Sequence, residues 1–437
     1  MQIKEIENQE LKNTQKNILA NVKNHIQKFK KSDVSLTYYL PHSESNGYAL
    51  LKFWISPIKN FFFLLKVTLK EIYLLSFENK FKIQKKKILN NNKNIIITWG
   101  NNKNFNSKGD FFDKYYNTDA KKLKSTLWIV FKTDADELPK LKDNILLLYQ
   151  DNKKKFSFIK FIKIFTKVNY WKNLNFSYQN DNAKKIWKKI DPFFKSSVTN
   201  LYMPYEGQPF QNYIIEQSKK KNPRIKSCGY IHSFPLGLPA NLMHRKNSPQ
   251  KILINGSCQK DYLCKNLGWA KEKIFVVESL RFEKNKKMNS QIFLPYYIED
   301  PIFIYNKLME LKNIGLYNNI FKSLKIKNHP ETKDSLVHKK LIINLKKNVI
   351  KKNKFLESNN YSIFLGCSGA IIEALVRNVK VIHISSEPIL EIYSNLWNFL
   401  NLSKIIENVY TYDIKKNINK KNIIKIDNKK KLLKKYF

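Results

Sequence analysis

Arginine is nearly absent from a chain with 80 lysine and arginine residues, and occurs only at Arg224, Arg245, Arg281 and Arg377. Nucleic-acid-binding proteins depend on guanidinium groups, which contact phosphates and bases through paired hydrogen bonds. The scarcity of arginine therefore weighs against a nucleic-acid partner, even at a formal net charge of +45. The lysines are interspersed with asparagine and isoleucine, a pattern that we attribute to drift toward A+T-rich codons. Such a surface is still expected to adhere to anionic lipid head groups.

Cysteine is scarce as well. The chain contains Cys228, Cys258, Cys264 and Cys367, with no C-x-x-C pair and no metal-like cluster with histidine. No signal peptide is recognisable at the N-terminus, so we expect reduced thiols in a cytoplasmic protein. Neither G-x-G-x-x-G nor a P-loop occurs, which argues against a dinucleotide oxidoreductase or an NTPase. We predict neither a metal nor a cofactor.

A long uninterrupted apolar run is missing too. The best candidate for a membrane span, 53–75, is interrupted by Lys59, Lys66, Lys70 and Glu71, so we do not expect it to cross a bilayer. Two alternatives stay open for this segment. It could be an interfacial helix that touches the inner face of the cytoplasmic membrane, or a buried helix of the first domain.

One segment carries more information than any other. Residues 361–384 combine an apolar run, the turn Gly366-Cys367-Ser368-Gly369, a helix-period segment and a second apolar run. This pattern predicts a strand, a tight turn, a helix and a strand, which together form a βαβ unit. The turn places a hydroxyl and backbone N–H groups where a helix begins, at the carboxyl end of a strand. Open parallel sheets bind anionic ligands there, so we predict a phosphate site.

The rest of the chain alternates strand candidates with polar or helical stretches, which predicts an α/β protein with doubly wound, mainly parallel sheets. The length and 43% hydrophobic content suit two Rossmann-like domains with a ligand cleft between them. We place a helical extension at 1–35, a first domain at 36–283, a second at 284–414 and a basic tail at 415–437. Strands are predicted at 95–99, 127–131, 144–149, 198–203, 227–231, 251–255, 274–277, 291–294 and 324–327.

Candidate catalytic residues follow two strands of the first domain. Glu206, in Pro204-Tyr205-Glu206-Gly207-Gln208-Pro209, follows 198–203, where a carboxylate can take a proton from an acceptor hydroxyl. Helix capping by Glu206 is a competing interpretation. His232 ends the next strand and is a substrate ligand or an alternative base. Asp134 and Asp136 have the same topological position after 127–131, unless they belong to a solvated loop.

The second domain offers phosphate ligands. His329 and Pro330 follow the strand at 324–327, and the proline fixes His329 in an extended conformation at the strand tip. An imidazole there could protonate or stabilise a leaving phosphate, although a turn histidine is the competing interpretation. We assign Pro295, Gly366, Ser368 and Gly369 to the same site. Glu373, one helical turn past Ser368, could reach a ribose hydroxyl or be a solvated helix residue.

This order of motifs resembles that of bacterial GT-B sialyltransferases and related transferases of nonulosonic or Kdo-type sugars. The stretches at 205–209, 230–233 and 366–369 also look like bacterial surface-carbohydrate biosynthesis proteins. The resemblance covers about residues 90–410. Two departures are that Tyr205 replaces the first of two acids and that Ser368 is a single serine.

The resemblance implies an inverting, metal-independent transfer from a CMP-sugar to a glycan or glycolipid. Glu206 would be the general base, and His329 and Ser368 would hold the CMP phosphate as it leaves. The alternatives are a UDP-sugar transferase, a polyol-phosphate transferase or an epimerase, and outside the enzymes a basic nucleic-acid-binding protein.

Overall fold

The computed structural model describes residues 69, 72–78, 80–132, 137–150, 155–166, 178–234, 242–281, 291–295, 298, 300–314, 321, 324–328, 332, 335–349, 360–366, 368–385 and 395–426. The chain forms two units. The described part of the N-terminal unit comprises 69–232, 242–281 and 425–426, with the gaps given above. That of the C-terminal unit comprises 233–234 and 291–424. The predicted extension at 1–35 and the predicted boundary near residue 283 lie outside the described residues.

The N-terminal unit is built on an eight-stranded sheet in the order β12-β11-β10-β9-β3-β6-β7-β2. All neighbouring strands are parallel except β2, which pairs antiparallel with β7 at one edge. The central strands carry apolar side chains that are buried on both faces, such as Ile95, Ile96 and Ile97. Such runs are typical of parallel sheets covered by helices on both sides. The strands are β2 (Phe81–Lys85), β3 (Asn94–Gly100), β6 (Thr126–Lys132), β7 (Ile145–Gln150), β9 (Asn200–Pro204), β10 (Lys226–Tyr230), β11 (Lys251–Ile254) and β12 (Ile274–Val276).

Helices and two short antiparallel strand pairs complete the described part of this unit. The helices are α1 (Phe158–Phe165), α2 (Tyr178–Ile190), α3 (Pro209–Lys221) and α4 (Cys258–Leu267). The small pairs join β1 (Phe77–Glu78) to β8 (Lys155–Phe156), and β4 (Phe112–Asp113) to β5 (Thr118–Asp119).

The C-terminal unit has a six-stranded sheet in the order β14-β13-β15-β16-β18-β17. Strands β13 to β16 are parallel, whereas β17 and β18 form an antiparallel hairpin on β16. The core includes Leu308 and Leu311 of α5, packed on Ile363 of β15. The elements are β13 (Gln291–Phe293), α5 (Pro301–Asn313), β14 (Lys325–Lys327), α6 (Leu336–Asn344), β15 (Tyr361–Leu365), α7 (Ala370–Val376), β16 (Lys380–Ile384), β17 (Leu400–Ile406), β18 (Val409–Ile414) and α8 (Lys420–Ile423).

The predicted fold class is confirmed: the chain is an α/β protein with two largely parallel sheets, each wound in both directions from a central strand. A strand occurs at every position where the sequence predicts one, and the βαβ unit at 361–384 is present as β15, α7 and β16.

The elements that were not anticipated include β2, the β17–β18 hairpin and α8 within the predicted basic tail. Ile423 and Ile424 in that tail are buried. Lys425 then returns to the N-terminal unit, where its backbone N–H donates to the Asn255 carbonyl oxygen at 2.6 Å. Within the described residues, no helix combines the length and the apolar character needed to cross a membrane.

Candidate functional site

The strand order of the N-terminal sheet reverses at one point, between β3 and β9. From β3 the chain adds β6 and β7 on one side, and then β9, β10, β11 and β12 on the other. The connections that follow β3 therefore lead toward one edge of the sheet, and those that follow β9 lead toward the other edge. Open parallel sheets bind ligands in the crevice at such a reversal, outside the carboxyl ends of the strands. Glu206 follows β9 and His232 follows β10, so both candidates lie at this edge.

The turn that carries Glu206 is fixed by its neighbours. Tyr205 is fully buried, its hydroxyl donates to Asn212 Oδ1 at 2.8 Å, and its N–H donates to the carbonyl oxygen of the last residue of β10 at 2.8 Å. Gly207 has φ of +67°, a conformation that glycine adopts without steric cost. The turn therefore presents Glu206 in a defined position at the start of α3.

Helix capping at α3 does not depend on Glu206. The N-cap residue is Gln208, and Gln211 Oε1 accepts from the N–H groups of Glu206 and Gln208 at 3.0 and 3.1 Å. The Gln211 amide also donates to the Pro204 carbonyl oxygen at 2.6 Å. The Glu206 carboxylate instead accepts a hydrogen bond from the Gln208 side chain at 2.6 Å.

Glu206 and His232 are close neighbours. Glu206 Oε1 lies 3.7 Å from His232 Nε2, and 35% of the Glu206 side chain is exposed. Burial raises the pKa of Glu206 above its usual value, while the hydrogen bond from Gln208 and the positive charge of Arg281 act in the other direction. A carboxylate with a raised pKa is a stronger base, so Glu206 is suited to accept a proton.

His232 is neutral at physiological pH. Burial lowers its pKa to about 3, with a smaller contribution from the charge of Arg281. The ring packs edge-on against Tyr115, with ring centres 4.6 Å apart. The buried Nδ1 atom has no hydrogen-bond partner among the described residues. A buried polar atom without a partner is uncommon, and a bound hydroxyl group would satisfy it. The geometry favours a substrate ligand.

Sequence reasoning missed Arg281 and Tyr115. The N–H of Leu280, next to Arg281, donates to the Tyr230 hydroxyl at 3.0 Å, and this contact brings the end of 274–281 to the edge where His232 lies. The signal that could have found Arg281 is its rarity. Arg281 is one of only four arginines in the chain, and a guanidinium group offers planar, paired hydrogen bonds that lysine cannot make.

Another carboxyl group, that of the fully buried Asp113, lies near the same sheet edge. The Thr98 hydroxyl donates to it at 2.5 Å and the Tyr116 N–H at 2.6 Å, while burial raises its pKa to about 6. These contacts hold the turn at 113–116, which carries Tyr115, so we interpret Asp113 as a structural residue. Asp134 and Asp136 lie outside the described residues.

The C-terminal sheet has its own reversal point, between β13 and β15. Gly366 follows β15 with φ of +70°, and a Cβ atom added there would lie 3.5 Å from Pro295 Cγ. Pro295 and Gly366 are therefore adjacent. The Gly366 N–H donates to the Ile384 carbonyl oxygen at 2.8 Å, and a ring nitrogen of His383 lies 3.0 Å from the Gly366 carbonyl oxygen.

The turn before α7 has the predicted arrangement of a hydroxyl at a helix start. Ser368 is half-buried, its Oγ accepts from the Ala370 N–H at 3.3 Å, and Gly369 is the N-cap residue of α7. Cys367 of the same turn, and His329 and Pro330 of the other phosphate motif, lie outside the described residues. Their predicted roles stay predictions.

Glu373 has a partner within its own helix. Its Oε1 atom lies 3.1 Å from Nε of Arg377, four residues later, and only 22% of its side chain is exposed. Glu373 is thus a paired helix residue. Contact with a ribose hydroxyl stays a prediction, and it would compete with this pair.

His338, which the sequence analysis did not single out, contacts Pro295. Its Nε2 atom lies 2.8 Å from the Pro295 carbonyl oxygen.

The described residues contain no group of three or more histidine, cysteine, aspartate or glutamate side chains arranged to hold a metal ion. Asp134, Asp136 and His329 lie outside these residues.

Comparison with known proteins does not assign this chain to a family. No family model and no curated protein matches this chain. The matching solved structures include a glycosyltransferase from Rickettsia africae ESF-5, with 13% sequence identity over 68% of this chain and 86% of that chain. The TM-score is 0.27, and a similarity at that level supports no conclusion about this chain.

Proposed function

We propose that this chain is a glycosyltransferase that moves a sugar from a nucleotide to a hydroxyl group of an acceptor. The observation that carries the proposal is the Glu206 carboxylate, held in a fixed turn at the reversal point of a parallel sheet, with its pKa raised and the neutral His232 beside it. A raised carboxylate pKa next to a neutral hydrogen-bonding ring is an environment that favours general-base catalysis on a hydroxyl group.

In the proposed reaction, the N-terminal unit activates the acceptor hydroxyl. Glu206 takes the proton of the acceptor hydroxyl, and the oxygen attacks the anomeric carbon of the donor sugar. The bond from that carbon to the phosphate oxygen breaks, and the nucleotide leaves with the bonding electrons. We assign to His232 the role of orienting the acceptor through a hydrogen bond, because the ring is neutral and its Nδ1 atom has no hydrogen-bond partner among the described residues. Attack opposite the leaving group inverts the anomeric configuration.

The C-terminal unit supplies the nucleotide contacts. The Ser368 hydroxyl and the N–H groups at the start of α7 can donate to a phosphate. We assign the neighbouring Pro295 and Gly366 to one wall of the same site. His329 completes the set by stabilising the departing phosphate. Because these groups are hydrogen-bond donors, they can stabilise the developing charge without a divalent ion.

The donor is proposed on the resemblance described in the sequence analysis. A CMP-activated nonulosonic or Kdo-type sugar fits the motif order, and the product would be a bacterial surface polysaccharide such as a capsule or lipopolysaccharide. A UDP-sugar transferase, a polyol-phosphate transferase and an epimerase are the competing enzymes.

A thermal-shift panel of CMP, UMP, UDP and GDP tests the donor assignment. At about 100 times its dissociation constant, CMP should stabilise the fold by roughly 2.7 kcal/mol. Ser368→Ala should weaken this effect, whereas Ser403→Ala, on β17, serves as the control and should not. Stabilisation by UDP or GDP without CMP would show that the donor assignment is wrong. No response to any nucleotide, together with tight and salt-sensitive binding of arbitrary DNA, would favour the nucleic-acid-binding alternative.

A further inference from the structure

The N-terminal unit carries an exposed apolar surface that the proposed reaction does not use. We define the aromatic patch as the exposed side chains on and next to α1 and the helical residues 72–75. Its members are Leu69, Tyr73, Phe156, Phe158, Ile159 and Ile162. Phe158 and Ile159 are 65% and 68% exposed. Soluble monomers seldom expose so many large apolar side chains together, and such patches mark interaction sites.

Helical geometry explains why α1 has two apolar faces. Its sequence, Phe-Ile-Lys-Phe-Ile-Lys-Ile-Phe, leaves only two polar positions in eight. Ile164 and Phe161 point inward and pack on Ile72 and Leu75. At 100° per residue, Ile159 and Ile162 point away from this inward face. Phe158 lies on its flank, where it stacks on Phe161 with ring centres 6.3 Å apart, and all three side chains stay exposed. A helix that only covered the core of this unit would carry polar residues at these three positions.

The patch is an ordered surface. Phe156 packs against Phe77 and Phe161, with ring centres 5.4 and 6.1 Å apart, and Tyr73 lies 5.0 Å from Phe77. These ring contacts hold the exposed side chains in place on one surface. The Lys160 ammonium, 3.5 Å from the Phe77 carbonyl oxygen, ties α1 to the same cluster.

The charge on and next to α1 is mainly positive, although Glu78 of β1 is the cross-strand partner of Lys155. Residues 155–166 contain Lys155, Lys160 and Lys163 and no acidic residue. Lys155 and Lys163 are exposed beside the apolar side chains. Lysines that flank exposed aromatic and aliphatic side chains match a bilayer surface, where apolar groups enter the acyl boundary and ammonium groups meet anionic head groups.

From these observations we infer that the aromatic patch docks the N-terminal unit onto an anionic phospholipid bilayer. The proposal is independent of the reaction that the enzyme catalyses. It also agrees with the sequence of 53–75, an apolar stretch interrupted by lysines whose described members Leu69 and Tyr73 belong to the patch.

Vesicle sedimentation tests this inference, with phosphatidylcholine vesicles compared to vesicles that also contain phosphatidylglycerol. The full chain should bind the anionic vesicles more tightly, and added salt should weaken binding. Phe158→Ser combined with Ile159→Ser should lower the partition coefficient at least about tenfold, equal to about 1.4 kcal/mol. The control, Leu336→Ser with Ile343→Ser, removes two equally exposed apolar side chains from α6 of the C-terminal unit and should bind like wild type. Circular dichroism checks that both variants are folded.

Two further measurements complete the test. Lys155→Gln with Lys163→Gln should weaken binding to anionic vesicles and leave binding to phosphatidylcholine vesicles unchanged. In Ile159→Trp, brominated lipid should quench fluorescence beyond the quenching of wild type. Equal binding by wild type and the patch variant would overturn the inference. So would a patch variant that turns a dimer into a monomer without changing vesicle binding, because a second copy of the chain would then cover the patch.

Discussion

Replacing Glu206 by glutamine removes the proposed base and little else. The carboxamide has the same size, and its oxygen can still accept the hydrogen bond that Gln208 donates at 2.6 Å. It cannot take a proton from an acceptor hydroxyl. We expect turnover to fall roughly 100-fold or more, which corresponds to about 2.7 kcal/mol of lost transition-state stabilisation. Nucleotide binding should be unchanged because the predicted phosphate contacts lie in the C-terminal unit.

The stability of this variant should move in the opposite direction from its activity. Burial raises the pKa of Glu206 despite the opposing effects of Gln208 and Arg281, so the folded protein disfavours the ionised carboxylate. Wild type therefore loses stability as pH rises from the ordinary glutamate pKa through the raised value. The glutamine variant carries no such cost. At neutral pH it should be at least as stable as wild type, and the difference should shrink as pH falls through that window.

The assay pairs nucleotide release, measured with donor and acceptor, with denaturant unfolding at neutral and mildly acidic pH. Glu216→Gln is the matched control because Glu216 lies on α3 and pairs with Lys220 at 2.8 Å. It should lose no activity and only about 0.3–0.5 kcal/mol of stability. Near-normal turnover in the Glu206 variant would refute the reasoning and move the base to His232 or Asp136. A loss of activity together with stability would indicate unfolding.

Three other outcomes are expected. As pH falls from 6.5 to about 3, His232→Asn should lose less unfolding free energy than wild type, because the His232 ring of wild type takes up a proton in the unfolded state but not in the folded state. Equal losses of unfolding free energy in the two proteins over this pH range would contradict this prediction. Gly229→Ala should cost about 1–3 kcal/mol in urea unfolding, since the new Cβ would lie 2.7 Å from that of Tyr205, and wild-type stability would show that the site is looser than described. His329→Ala and Ser368→Ala should be non-additive in nucleotide affinity, with turnover retained in EDTA; activity lost in EDTA and restored by Mg²⁺ would overturn the metal-free mechanism.

The positions of Glu206 and His232 could be predicted because they depend on one local signal. Each follows a short apolar run, and the carboxyl ends of parallel strands meet at one edge of a sheet. The same signal located Ser368. The order of the strands in the sheet could not be predicted, because many strand orders are compatible with the same series of apolar runs. The reversal point beside Glu206 is therefore known only from the structure.

Arg281 could not be placed from local sequence. Its position depends on the contact between the Leu280 N–H and the Tyr230 hydroxyl, fifty residues apart, and no periodicity records such a contact. The β17–β18 hairpin did leave a signal that was not used. Asn408 has φ of +63° in its turn, a conformation for which asparagine is favoured.

The most direct test of the central claim follows the oxygen atom in the bond that breaks. In ¹⁸O-labelled water without acceptor, water takes the place of the acceptor hydroxyl, and the nucleotide-sugar that best stabilises the protein should be slowly cleaved. Attack at the anomeric carbon predicts that the sugar carries the label, that mass spectrometry finds the released nucleotide unlabelled, and that Glu206→Gln suppresses the cleavage. Label in the nucleotide phosphate would show attack at phosphorus and contradict a glycosyltransferase.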